Sequence, residues 1–409
     1  MTDGDASDVH SPGPGSDADC AAASGRSECV SRREFLRVAG TTAVVCAGAG
    51  WLGGLVGRSE AATRMRAGWR EAEYYHRLGD GRVQCTLCPC SPITRSNGVL
   101  EDGATCVCHV RTNVGGKLYV TNYGRAASLH LDPIEKNPTY HFLPGAQALA
   151  VSAPGCTLGC KCCQNWQMSQ AETDEIRTID APPDEIVRRA LAQKRRAITY
   201  TYTDAAAFFE YARDTAKLAR SRGLANTMVT GGYISPEPLA ELCRYIDAFS
   251  VSVKGFSDEY YRENCRGLLG TVLEAMKTIK AQRRWLEVVV LVIPTMSDDM
   301  GKIKWMTGWV RDNLGADTPV HFSRFWPAYQ LRNLPQTPIS TLERARSIAL
   351  GEGLKFVYIG NLPGHEGANT YCARCKRALV RRVGFRIIEN NLNGGKCKFC
   401  GAGIPGRWA

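Results

Sequence analysis

The sequence predicts an α/β protein: a partial (β/α)6 barrel, with a small cysteine-rich module before it and a cysteine-paired tail after it. Three observations carry this. Between residues 148 and 358 short apolar runs alternate with helical stretches, and strand–helix alternation with buried strands gives a parallel sheet. The 18 cysteines fall in groups along the chain, the pattern of metal sites rather than of a disulfide framework. The 409 residues, 44% of them hydrophobic, suffice for one large domain with appendages. The expected divisions are a leader at 1–61, the module at 62–147, the barrel at 148–360 and the tail at 361–409.

The leader begins with 30 residues rich in Ser, Gly, Asp and Ala, without periodicity, and is expected to be disordered. Cys20 and Cys29 lie there without evident partners. Ser31-Arg-Arg-Glu-Phe-Leu-Arg37 then matches a twin-arginine export signal. The uncharged Gly/Ala-rich run 38–57 follows, and Ser59-Glu-Ala61 offers small residues for cleavage. A short membrane anchor is the other reading of that run, which is just long enough to cross a bilayer. The mild apolarity favours the export signal, with no stable span beyond it. The net charge is +11; residues 1–61 carry five Arg and eight Asp or Glu, a net −3, so the remainder carries +14. An ordinary solvated basic surface accounts for that better than an acidic substrate does.

The module holds Cys85-Thr-Leu-Cys88-Pro-Cys90 and Cys106-Val-Cys108-His-Val-Arg111. In the barrel the expected strands are 148–153, 197–203, 226–230, 248–253, 286–293, 319–325 and 355–359. The helical stretches are 184–193, 205–221, 236–245, 270–282 and 302–314. Strand ends supply the site in such barrels. Thr203-Asp204, Gly231-Gly232, Ser252-Val-Lys254, Pro294-Thr295 and Phe325-Trp326 are therefore expected to ring the cavity, with Asp204, Gly231, Gly232 and Lys254 as cofactor contacts.

The first strand runs into Gly155-Cys-Thr-Leu-Gly-Cys-Lys-Cys-Cys-Gln-Asn-Trp166, which contains Cys156-x3-Cys160-x2-Cys163. Three thiolates at that spacing on one loop can hold three irons of a [4Fe–4S] cubane and leave the fourth open to a substrate. A zinc knuckle fits less well, because zinc prefers four ligands in two C-x2-C pairs. Cys162 adds a neighbouring thiol. Cys265 follows the fourth expected strand; a hydrogen-atom donor or auxiliary ligand is conceivable, and a buried inert thiol is the preferred reading. The tail carries Cys372-Ala-Arg-Cys375 and Cys397-Lys-Phe-Cys400. Two C-x2-C pairs with a hairpin-sized gap are expected to form a zinc-ribbon-like site for zinc or a single iron. From 370 to 409 there are nine Lys or Arg and one acid. No aromatic stacking platform accompanies them, so a structural ribbon is preferred over a nucleic-acid site.

These motifs resemble the radical S-adenosylmethionine (SAM) proteins of the AmmeMemoRadiSam system, relatives of pyruvate-formate-lyase activating enzyme. The matching text is Asp132-Pro-Ile-Glu-Lys-Asn-Pro-Thr-Tyr-His-Phe-Leu-Pro-Gly145, Cys163-Gln-Asn-Trp166, Tyr200-Thr-Tyr-Thr203, Met228-Val-Thr-Gly-Gly-Tyr-Ile234, Val253-Lys-Gly-Phe256, Leu291-Val-Ile-Pro294, His321-Phe-Ser-Arg-Phe325 and Tyr358-Ile-Gly-Asn361. The resemblance implies the partial barrel and a cluster on Cys156, Cys160 and Cys163 whose open iron chelates SAM. It also implies a 5'-deoxyadenosyl radical that abstracts hydrogen, and a low-potential electron donor. The module resembles the family's Cys-x-Leu-Cys-Pro start and later Cys-x-Val-Arg. It implies a four-thiolate site of Cys85, Cys88, Cys108 and one of Cys90 or Cys106; packed reduced thiols are the alternative. The chain departs from the family at several places. Pro92 replaces a cysteine, Asp204-Ala205 replaces Glu-Pro, and Ser252 replaces an Asp. Trp326 and Ala328 replace a His and an Asp, and Cys162 replaces an aromatic residue.

The expected function is hydrogen abstraction by a radical SAM enzyme on an unspecified substrate. A glycyl-radical activase acting on a partner protein is the first alternative. An exported Fe–S or zinc protein without SAM chemistry is the second. Export to the periplasm or cell envelope is expected from the signal. A cytoplasmic site is the alternative, since SAM and strong reductants belong there.

Overall fold

The apolar runs of the barrel region lie side by side in one eight-stranded sheet of the computed structural model, which describes residues 68–90 and 97–408. The twin-arginine stretch with Arg32 and Arg33, together with Cys20, Cys29 and Pro92, lies outside the described residues.

The sheet's strands are β1 (Ser128–Pro133), β2 (Gln147–Ser152), β3 (Ala197–Tyr200), β4 (Ala225–Thr230), β5 (Ala248–Val253), β6 (Trp285–Val292), β7 (Val320–Arg324) and β8 (Val357–Gly360). They stand in sequence order, and the neighbours from β2 to β8 pair parallel. Strands buried on both faces read as continuous apolar runs, and all four residues of β3 are buried. Parallel neighbours need crossovers. The helices Pro183–Ala192, Phe209–Ser221, Pro236–Cys243, Leu269–Ala281, Met300–Leu314 and Ile339–Gly351 supply them. Phe208, Phe209, Phe249, Phe322 and Phe325 are buried between the layers, each contributing roughly 1.5–3 kcal/mol.

Three differences from the sequence reading have local causes. Helix Phe209–Ser221 starts later than residue 205 because Asp204 turns the chain first: its carboxylate accepts from Ala206 N–H at 3.1 Å and its carbonyl from Ala207 N–H at 2.9 Å. Strand β3 stops at Tyr200 and not at 203, with Tyr202 at φ +67°. β1 was not expected. It pairs antiparallel with β2 on the sheet edge, where its Pro133 is tolerated.

The described residues form one compact unit. The N-terminal part contributes two three-stranded sheets. It docks through the fully buried Arg111, whose guanidinium meets Glu210 at 2.5 Å and the Glu73 carbonyl at 2.8 Å. Removing one partner of such a buried pair costs about 3–5 kcal/mol. The C-terminal part forms a three-stranded sheet of Thr370–Tyr371, Ala378–Val383 and Arg386–Asn390. Its end returns to the sheet, where Arg407 N–H donates to the His141 carbonyl at 2.8 Å. Among the described residues no helix is long and apolar enough to cross a membrane.

Candidate functional site

The C-terminal ends of β2 to β7 open onto a cavity of about 290 Å³. Cys156, Cys160, Cys162 and Cys163 line it from the loop after β2. That loop is pinned on three sides. Gly155 N–H donates to the Met168 carbonyl at 3.0 Å, and Cys156 N–H to the Cys108 carbonyl at 3.3 Å. Gly159 N–H donates to the Cys265 carbonyl at 2.8 Å. Gly155 sits at φ +90°, and a Cβ there would stand 2.5 Å from the Cys108 oxygen; only glycine lets the loop lie so close. The Cys163 sulfur meets the Ser169 hydroxyl at 3.3 Å.

Burial pushes the Cys156 and Cys163 thiols up, and contact with Cys265 pushes Cys160 up. A metal centre supplies the positive charge that ionises such thiols. Lys254 is part of the same balance. Burial alone would lower its pKa, but Cys160, Cys162, Cys265 and Cys163 around it leave it raised. The donor set therefore fits a cluster of net negative charge: three thiols of one loop, a lysine facing them and room beside them.

Asp204 is buried and burial raises its pKa, against the pull of its donors. It accepts from the Thr230 hydroxyl at 2.7 Å and from Gly231 N–H at 2.9 Å. Its oxygens are thus engaged in ordering the turn after β4. Gly231 lines the cavity, and a Cβ there would meet Leu158 at 2.6 Å. Gly232 does not line it. A Cβ on it would meet Val251 and Val272, and its N–H bonds the Thr230 hydroxyl, so the structure places Gly232 beside the wall rather than in it. Pro294, Thr295 and Trp326 are also absent from the wall. Trp326 turns outward, 44% exposed, with Arg324 over its ring at 5.3 Å.

Sequence reasoning missed the opposite rim. Lys136 Nζ meets Asp132 at 2.9 Å and the Tyr202 hydroxyl at 3.1 Å, and that hydroxyl donates to Asp132. Lys136, Asn137, Tyr202, Ser323 and Asn361 all line the cavity. The Asp132–Asn137 motif was the available signal, but its place depends on β1 folding back along β2.

The cysteines of the ends also gather. In the tail the sulfurs of Cys372, Cys375, Cys397 and Cys400 all lie within 4.8 Å of one another. The Cys372–Cys400 and Cys375–Cys397 pairs stand at 3.7 Å, close to the roughly 3.8 Å edge of a tetrahedron with 2.3 Å metal–sulfur bonds. In the module Cys85, Cys90 and Cys106 form such a group, and neither Cys88 nor Cys108 belongs to it. This differs from the expected core of Cys85, Cys88 and Cys108. The turn after Cys106 gives the Cys108 carbonyl to Cys156, and Cys106 stands in the group in its place.

This parallel sheet with a thiol-bearing loop after its first parallel strand belongs to a radical SAM enzyme: the Radical SAM superfamily matches residues 151–303. The chain belongs to the same family as an uncharacterized protein of Methanocaldococcus jannaschii. The two are 42% identical over 337 residues, which cover 82% of this chain and 98% of that protein. Among solved structures it is similar to a domain of a pyruvate-formate lyase-activating enzyme from Bacteroides vulgatus, at 14% identity and a TM-score of 0.36 over 40% of this chain and 99% of that one. It is also similar to a radical SAM methyltransferase from Sphaerobacter thermophilus, at 17% identity and a TM-score of 0.42 over 54% of this chain and 68% of that one.

Proposed function

We propose that this enzyme is of the AmmeMemoRadiSam type, with the sheet as a partial (β/α)6 barrel. Cys156, Cys160 and Cys163 hold a [4Fe–4S] cluster, and SAM binds in the cavity beside them. The observation that carries the reading is the convergence of these three thiols and Lys254 on one cavity at the strand ends. When bound, the reduced cluster supplies the electron that cleaves SAM to a 5'-deoxyadenosyl radical able to abstract hydrogen from the substrate.

The chain's own residues prepare that chemistry. Lys254 balances the thiolate charge. Asp204 fixes the Thr230–Gly231 turn, and Gly231, without a side chain, leaves room for a ligand against the backbone. Leu158, Val289, Leu291 and Phe325 give the wall an apolar face, which excludes water from a reactive species. The Asp132–Lys136–Tyr202 rim presents polar groups where a substrate enters. In the tail, Cys372, Cys375, Cys397 and Cys400 hold zinc or one iron, and that binding energy is folding energy. The leader directs the folded, cluster-bearing protein to the cell envelope.

The test is anaerobic reconstitution, addition of SAM and dithionite, and assay of 5'-deoxyadenosine. Production is expected from the parent. Loss of the product and of the cluster absorbance is expected when Cys156, Cys160 or Cys163 becomes Ala. A triple-Ala variant that keeps a SAM-responsive cluster signal would refute the assignment.

A further inference from the structure

We propose that Cys85, Cys88, Cys90 and Cys106 hold a single zinc or iron ion, separate from the Cys156–Cys163 loop and from the tail. This ion would stiffen the backbone on which Cys156 rests. The first argument is distance. The sulfurs of Cys85, Cys90 and Cys106 lie within 4.8 Å of one another, and Cys90 stands 3.9 Å from Cys106. Two thiolates on one tetrahedral ion with 2.3 Å bonds stand roughly 3.8 Å apart. The tail pairs have nearly the same separation, at 3.7 Å. Cubane ligands sit on different irons and spread wider, so the spacing suits one ion.

Cys88 completes the set. Cys88 lies outside the 4.8 Å group, but it is buried two residues before Cys90 and its thiol interacts with that of Cys90, so it is the fourth ligand an ion would recruit. The Cys108 sulfur is likewise outside the group, and its carbonyl accepts from Cys156 N–H.

The surrounding backbone is shaped to this cluster. Gly98 returns beside it at φ +80°, and a Cβ there would stand 2.9 Å from the Cys90 sulfur and 2.8 Å from the Cys85 carbonyl oxygen. Cys106 is fixed by its N–H to the Arg111 carbonyl at 2.7 Å and by its carbonyl, which accepts from His109 N–H at 2.8 Å. Arg111, fully buried with an unpartnered Nε, brings a positive charge near Cys85. Four thiolates around a divalent ion carry net negative charge, and the Arg111 guanidinium, though paired with Glu210, is a cation close to them.

The consequence reaches the active-site loops. The turn from Cys106 carries Cys108, whose carbonyl holds Cys156. Leu87, inside the first pair of thiols, accepts from Ser235 N–H at 2.9 Å in the segment after β4. An ion here ties both loops to one rigid knuckle.

The experiment counts metal in the full chain with Cys156, Cys160 and Cys163 all changed to Ala, so cluster iron does not enter and the outcome is independent of SAM cleavage. At one ion per four-thiolate site, about two equivalents are expected. Cys88→Ser, Cys90→Ser and Cys106→Ser should each remove one, Cys372→Ser the other, and Cys108→Ser neither. Should the module variants fail to fold, the Cys372→Ser protein loaded with cobalt(II) decides: a thiolate-to-cobalt absorption at about one equivalent is expected. The proposal is overturned if that protein binds no cobalt. It is also overturned if Cys90 and Cys106 are found joined as a disulfide, or if Cys108→Ser loses the ion while Cys88→Ser keeps it.

Discussion

The backbone N–H of Cys156 donates to the carbonyl oxygen of Cys108 at 3.3 Å. This bond joins the first thiol of the active-site loop to the cysteine-rich N-terminal segment, and Gly155 makes it possible by leaving no side chain in the gap. Arg111, three residues beyond Cys108, anchors the same segment to Glu210 behind β3. The N-terminal segment therefore pins the thiol-bearing loop without lining the cavity itself.

Asp204→Asn tests how the turn after β4 is held. The carboxylate accepts from the Thr230 hydroxyl, Gly231 N–H and Ala206 N–H. An amide of the same shape turns one acceptor into a donor and leaves a buried N–H unmatched. The expected loss is about 1–3 kcal/mol of stability. SAM affinity should fall while iron per chain stays at the parental value, because Asp204 carries no cluster ligand. Thermal denaturation, equilibrium dialysis with SAM and iron analysis read the three quantities. Iron lost in parallel with SAM binding would contradict a turn-ordering role.

The sequence exposed the parallel strands because burial on both faces writes a continuous apolar run, as in Val288–Val292 of β6. It hid elements whose stability is borrowed. Helix Asp258–Cys265 is mostly polar; it forms because Ser257 caps Tyr260 N–H at 3.2 Å and because Tyr261 and Cys265 reach the core. The thiols, Asp204, Gly231 and Lys254 were legible as residues following apolar runs. Lys136, Tyr202 and Asn361 were not, since a loop residue's direction depends on the turn that carries it. Trp326 shows the converse: it follows a strand end, yet the chain turns its ring away from the cavity. Cysteine grouping was readable at the level of clusters. Which thiols of the module meet is set by the return at Gly98, a long-range fact.

The proposed export rests on the leader. Arg32 and Arg33 precede Phe35 and Leu36, and a Gly/Ala-rich run follows. A cluster is assembled on a largely folded chain, and the twin-arginine route moves folded proteins. Changing Arg32 and Arg33 to Lys should hold the protein in the cytoplasm, while the parent fractionates with the envelope. If both are cytoplasmic with Met1 retained, the stretch is not a working signal, and the supply of SAM ceases to be a constraint.

The floor of the sheet predicts a pH dependence. His141 is fully buried, with Nδ1 2.7 Å from the Pro405 carbonyl and Nε2 2.5 Å from the Tyr358 hydroxyl. A neutral ring satisfies both, donating to the carbonyl and accepting from the phenol. Burial lowers its pKa to about 4, against the attraction of Glu287 and with Arg382 and His321 opposing a further charge. An unfolded histidine titrates near 6.5. Between these values the unfolded chain binds a proton that the folded chain refuses. Stability from this group is therefore complete above about pH 6.5 and is lost as pH falls toward 4, by roughly 3 kcal/mol in all. Glu287 acts at lower pH: burial would raise its pKa, but His321 at 2.7 Å leaves it lowered, so its contribution is lost only below the usual carboxylate range. Melting temperatures at pH 7.5 and 5.0 should drop more in the parent than in His141→Gln, which begins lower but has no ring to protonate. Metal sites lose affinity in acid in both proteins, so the difference between the two slopes isolates the histidine. Equal slopes would assign the acid sensitivity to the thiolate sites instead.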